Sequence, residues 1–102
     1  DQEIPKNQYT KWFDYDKIKG TLSLRHRQPG DYLTLPSGGR KTLKSWMIDE
    51  KIPRQEREEI WLLAEEKHIL WIVGHRISAY YKITEQTKTI LEVEFNGGKS
   101  SG

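Results

Sequence analysis

Residues Ile60–Gly74 read IWLLAEEKHILWIVG, two consecutive apolar runs joined by a charged turn. In the second run Ile69, Leu70, Trp71, Ile72 and Val73 follow one another without a polar residue. Successive strand residues point to opposite faces, so a strand of this composition is apolar on both and has to be covered on both. The run is far too short to span a bilayer, which takes about 20 apolar residues. It therefore predicts a buried strand in a β-rich domain.

Outward from this stretch the pattern stays mostly β. AYYKI, from Ala79, and ILEVEF, from Ile90, alternate, the latter with Leu91, Val93 and Phe95 against Glu92 and Glu94. Upstream, TLSLRHR puts Leu22, Leu24 and His26 on one side of a strand and Ser23, Arg25 and Arg27 on the other. Pro29 and Gly30 then occupy the central positions of a type II turn, which predicts a hairpin between this strand and DYLTL. Pro36, Gly38 and Gly39 supply the next turn. From Thr42, a suitable N-cap, Leu43, Trp46 and Met47 follow helical spacing. That helix has to stop before Pro53, which suits the first position of a second one, PRQEREEI.

With 102 residues the chain is large enough for one core without metal or disulfide staples, and it has no cysteine. That composition is the basis for expecting a cytoplasmic protein. The start at Asp1 and the ending NGGKSSG lead us to expect a piece of a longer protein. The expected organisation is a connecting segment over 1–20, a domain over 21–95 and a flexible tail over 96–102. The charge is unevenly spread. Lys17–Arg54 holds nine basic residues against three acidic ones, an excess of six, whereas the remainder has eight against twelve. Such polarity suits a basic face presented to a polyanion, and also arises on an ordinary solvated surface.

Several chemistries fit poorly. SGGRKT lacks the spacing of a P-loop, and it also lacks the aspartate and second serine of the Ser-Gly-Gly-x-Asp-Ser loop of ATP-pyrophosphatases. Its glycines read as turn glycines. His26, His68 and His75 are dispersed, Asp14 and Asp16 have no carboxylate partner nearby in sequence, and there is no Gly-x-Ser-x-Gly elbow. We expect no catalytic residue and no metal site. Most of Trp12, Phe13, Trp46, Trp61, Trp71, Tyr80 and Tyr81 fall at inward positions and read as core, although Tyr80 and Tyr81 point to opposite faces. The basic residues remain. Arg25 and Arg27, two apart on one strand face, would be separated by roughly 6.6 Å, near the spacing of consecutive phosphates. Arg40, Lys41 and Lys44 surround the first helix start, where free N–H groups add to the attraction for phosphate. Arg54 and Arg57 extend the patch, though Glu58 stands where it can pair with Arg54.

Three ordered blocks also resemble a known family. RHRQPGD (Arg25–Asp31), GRKTLK (Gly39–Lys44) running to IDEKIPR (Ile48–Arg54) and Arg57, and ILWIVGHRI (Ile69–Ile77) closely resemble the C-terminal domain of tRNA(Ile)-lysidine synthetase. The resemblance covers most of Leu22–Leu91. Thr42 stands where the family often has a basic residue, which weakens one phosphate contact, and Trp61 where proline is common. It implies a mainly β fold with two short helices (α+β), a small sandwich shared with a phenylalanyl-tRNA synthetase β-subunit domain. It also implies a ligase that activates the wobble cytidine of an isoleucine tRNA with ATP and attaches lysine to form lysidine. ATP and Mg would be handled by an N-terminal catalytic domain, this domain needing no cofactor. The domain's implied role is to hold the tRNA body at its acceptor stem, away from any membrane. The expected tRNA-binding residues are Arg25, Arg27, Arg40, Lys41, Lys44, Arg54, Arg57 and Arg76. The alternative is a domain that packs on its own chain or a second subunit without touching RNA.

Overall fold

A computed structural model of the protein describes residues 9–96. Residues 1–8 of the expected connecting segment and 97–102 of the expected tail lie outside them. In chain order the strands are β1 (Thr10–Asp14), β2 (Leu22–Arg25), β3 (Tyr32–Thr34) and β4 (Arg40–Thr42), then β5 (Leu62–Glu65), β6 (His68–Ile72), β7 (Arg76–Ile77) and β8 (Ile90–Glu94). Helices α1 (Leu43–Asp49) and α2 (Arg54–Arg57) separate β4 from β5, and single 3₁₀ turns occupy Tyr15–Lys17 and Ala79–Tyr81. One sheet runs β2-β5-β6-β3-β4 with β7 also on β6, and β1 and β8 form a separate antiparallel ribbon.

The apolar run that predicts a doubly covered strand becomes β6, with Ile69, Leu70, Trp71 and Ile72 all fully buried. Ile69 and Ile72 join Leu33, Leu43, Trp46, Met47, Leu62 and Ala64 in a core on the helix side. Leu70 and Trp71 join Phe13, Leu63 and Tyr81 in a second core beneath the ribbon. Two consecutive residues share the second core because the β5–β6 register shifts between Leu63 and Ala64, a bulge that inserts one residue into β6. The molecule is thus three layers: helices, sheet, ribbon.

The hairpin expected from TLSLRHR and DYLTL does not form. Its turn is present, with the Asp31 N–H donating to the Gln28 carbonyl at 3.2 Å and Gly30 at φ 90°. Yet β2 pairs with β5, and β3 with β4 and β6. Strand β5 is buried along Leu62–Ala64, so its backbone groups need partners on both edges, and β2 and β6 supply them. The hairpin that does form joins β3 and β4 through Leu35–Gly39, where Gly38 takes φ 100°. AYYKI is likewise not a strand. Ser78 caps a 3₁₀ turn there, exposing Tyr80 and burying Tyr81.

Thr42 caps α1 as expected, accepting from the Ser45 N–H at 3.1 Å. Helix α2 is shorter than PRQEREEI and has Pro53 at its N-cap instead of inside it. None of its residues is buried, so no apolar face extends it. Ribbon strand β1 falls within the stretch read as a connecting segment. Its Trp12 Nε1–H donates to Glu92 at 2.9 Å, and its Phe13 is fully buried in the second core.

Candidate nucleic-acid interface

The turn at Pro29–Gly30 brings Asp31 back onto Arg25. The Asp31 carboxylate is 3% exposed and accepts from both terminal nitrogens of Arg25, at 2.9 and 3.0 Å, and from the Gln28 N–H at 2.8 Å. The second N–H of each terminal nitrogen goes to a carbonyl, that of His26 at 2.9 Å and that of Glu66 at 2.6 Å. Arg25 therefore ties β2, the turn and the β5–β6 connection together. Arg27 lies beyond the end of β2, and its Nε and Nη2 donate to Glu58 at 2.9 and 2.7 Å. The two arginines do not form the expected pair of free guanidinium groups on one strand face. Lys41 pairs with Asp49.

The start of α1 also differs from expectation. Thr42 Oγ1 takes the Ser45 N–H, and the Leu43 N–H donates to the Asp31 carbonyl at 2.8 Å, so two of its N–H groups are already satisfied.

What the fold does bring together is Arg27, Lys44, Arg54 and Arg57, around an open cavity of about 520 Å³ on the helix side. Its one carboxylate, Glu58, is already held by Arg27. Lys44 and Arg54 are exposed, and Arg57 is steadied by its Nε donating to the Ile52 carbonyl at 2.8 Å. A neighbouring cavity shares Arg27, Lys44 and Glu58 and extends the surface along Gln28–Asp31. Arg40 is elsewhere, and Arg76 is exposed on β7 and lines neither cavity.

Arg40 belongs to a second cleft, of about 670 Å³, which the sequence reading did not assemble. Its floor is aromatic. Tyr32 stacks on His68 with ring centres 4.5 Å apart, and Tyr80 and Tyr81 lie 5.1 and 4.9 Å from the same imidazole. The Arg40 guanidinium sits 4.3 Å from the centre of Tyr32, and Lys17 Nζ 4.8 Å from that of Tyr80. Lys19 and Lys67 complete the rim. Glu65 organises one wall, with Oε1 accepting from the Tyr81 hydroxyl at 2.7 Å and Oε2 from the Lys19 N–H at 2.6 Å and the Gly20 N–H.

These contacts set the charges. Burial lowers the pKa of His68, the Arg40 charge lowers it further, and Glu65 opposes both; the ring meets Thr34 Oγ1 at 2.9 Å. Burial pushes Glu65 up, but the Tyr81 hydroxyl and the two N–H donors outweigh it and hold the carboxyl below its ordinary value. Tyr81 is raised by burial and by Glu65. One signal for this cleft was legible in the Tyr80–Tyr81 doublet, one member of which had to face outward. The others, Lys17, Lys19, Tyr32, Lys67 and His68, come from three separate segments and carry no common spacing. Among the described residues no group of three His, Asp or Glu side chains is placed to hold a metal ion, and no helix is long and apolar enough to cross a membrane.

The sequence profile of the TilS substrate C-terminal domain matches residues 22–94. The chain belongs to this family. The tRNA(Ile)-lysidine synthase of Caldanaerobacter subterraneus subsp. tengcongensis is 46% identical over 94 residues, which are 91% of this chain and 20% of that protein. That of Clostridium tetani is 41% identical over 97 residues, 94% of this chain and 21% of that protein. The chain thus spans about a fifth of the length of the curated relatives it matches. A crystal structure of a TILS C-terminal domain superposes with a TM-score of 0.67 at 26% identity, covering 92% of this chain and 78% of that one. The TilS C-terminal fold, strands in sheets with two short helices, is the α+β class that the sequence implies.

Proposed function

We propose that this domain is the tRNA-docking module of a tRNA(Ile)-lysidine synthase and that it holds the acceptor stem while a separate N-terminal catalytic domain, using ATP and Mg, attaches lysine to the wobble cytidine. On this reading the parent is a cytoplasmic ligase and this domain supplies grip alone. The observation that carries it is the cleft in which Arg27, Lys44, Arg54 and Arg57 face one already-paired carboxylate. Proteins recognise A-form stems by backbone and shape, which asks for clustered cations on a rigid frame. Arg40, Lys41 and Arg76 lie outside that cavity, Arg40 in the aromatic cleft and Lys41 paired with Asp49, and are left out of the contact. Arg25 acts through the frame.

Binding of an isoleucine tRNA, followed by anisotropy across salt concentrations, tests the reading. Neutralising about three phosphates, by Lys44, Arg54 and Arg57, gives a slope of log K against log[salt] of roughly −2 to −3, and a slope near zero rejects the proposal. One observation favours the second reading, packing against the rest of the chain. Strand β2 is a sheet edge and Leu24 on it is 50% exposed. A domain that leaves tRNA free but binds the remainder of its own protein would establish that reading instead.

A further inference from the structure

We infer that the cleft floored by Tyr32, His68 and Tyr80 takes an unpaired nucleotide of an RNA strand, its base stacked on Tyr80 and its phosphate between Lys17 and Arg40. The inference rests on the docking reading and extends it to a site with different chemistry.

The rings are not simply core. Tyr80 is 42% exposed and Tyr32 and His68 are partly so, whereas Tyr81 behind them is 1% exposed and anchored by Glu65. Partly open aromatic faces backed by a rigid wall suit stacking of a base whose own face is free. A base inside a duplex has none to offer.

The cations have a matching arrangement. Arg40 and Lys17 are held against ring faces, which leaves their charge uncancelled, unlike the Arg25, Arg27 and Lys41 pairs with carboxylates, and the flexible Lys17 side chain swings from the face of Tyr80 to the phosphate when a base stacks there. Of the two acidic residues lining the cleft, Glu65 has both oxygens engaged by donors of the protein itself. A volume of about 670 Å³ is in the range of small-ligand sites, large enough for one nucleotide.

The position relates the two clefts. Residues Gln28–Asp31 line the cavity that adjoins the helix-side one, and Lys67 on the rim of the aromatic cleft donates to Gln28 Oε1 at 3.2 Å. One turn therefore separates a surface suited to duplex phosphates from one suited to a free base. A stem docked on the first has its single-stranded extension within reach of the second, and an acceptor stem carries such an extension.

The test compares an RNA hairpin bearing a short unpaired 3′ extension with its blunt counterpart, the extension carrying 2-aminopurine. The 102-residue chain should bind the extended hairpin roughly tenfold more tightly and quench its fluorescence. Tyr80→Ala should erase both effects and leave blunt-hairpin affinity and the melting temperature unchanged, while Tyr80→Phe should retain them. Equal affinity for the two hairpins, or a preference that survives Tyr80→Ala, overturns the inference while leaving the docking reading intact. If neither hairpin binds, docking fails. The isolated extension then decides: Tyr80-dependent quenching supports the cleft, and no quenching overturns it too. Complete displacement of the extension by an equal concentration of AMP would assign the cleft to a free nucleotide and overturn the strand.

Discussion

Arg25 and Arg40 are the same residue type, stand in the same basic stretch and are read alike from sequence, yet the fold uses them oppositely. Arg25 faces a carboxylate that is 3% exposed and two main-chain carbonyls, so its charge is consumed in holding three segments together. Arg40 lies over the face of Tyr32, and its charge is still strong enough at His68 to lower that group's pKa. A cation held by a buried anion belongs to the frame. A cation held by a ring keeps its field and remains available to a ligand.

The largest effect separating the two is expected from Arg25→Ala. It leaves the buried Asp31 carboxylate without its cation and should cost about 3–5 kcal/mol in denaturant melts. A loss under about 1 kcal/mol would place Arg25 with the surface cations. Gly30→Ala attacks the same strut through the backbone. At φ 90° a side chain is strained, and the added Cβ meets nothing closer than Lys67 Cδ at 3.9 Å, so the cost of about 1–2 kcal/mol is conformational. Unchanged stability would mean that the turn relaxes without disturbing Asp31.

Glu58→Gln sharpens the comparison from the other side. Glu58 is exposed and Arg27 half-buried, so their pair is screened by solvent and stability should move by less than about 1 kcal/mol. The freed guanidinium should steepen the salt dependence of tRNA binding by about one unit, and an unaltered slope would remove Arg27 from the interface. A similarly small stability change is expected from Arg40→Ala, within about 1 kcal/mol. Its mark is on titration: the His68 pKa, followed by NMR, should rise toward its ordinary value of 6.5. Because the folded-state pKa of His68 is lowered, the unfolded chain binds more protons near and below that value. The associated stability is complete above about 6.5 and is lost as pH falls, with Glu65 adding to the loss below its ordinary value of 4.5. Stability that rises on acidification from neutral pH would contradict this assignment.

The parts of the fold that were legible in the sequence were those decided within a few residues. Strand β6 declared itself by five apolar residues in a row, Thr42 by preceding a helical spacing, and the Gln28–Asp31 turn by Pro-Gly. Pairing was not legible, because it depends on distant segments. The local turn suggested β2 beside β3, whereas burial of Leu62–Ala64 on both faces drew β2 to β5. Strand β1, TKWFD, lacks clean alternation and finds its partner Ile90–Glu94 some eighty residues away, as the Trp12–Glu92 bond shows. At the interface the residue types were visible and their partners were not. No spacing rule reveals that Asp31 would be buried against Arg25, or that Lys17, Tyr32, His68 and Tyr80 would meet in one cleft.

The most direct measurement is the salt dependence of tRNA binding for Lys44→Ala/Arg54→Ala beside the unaltered chain. Both side chains are exposed and neither carries an ion pair among the described salt bridges. The account predicts that the slope flattens by about two units while the melting temperature stays the same. An unchanged slope, with tRNA bound as tightly as before, would contradict it.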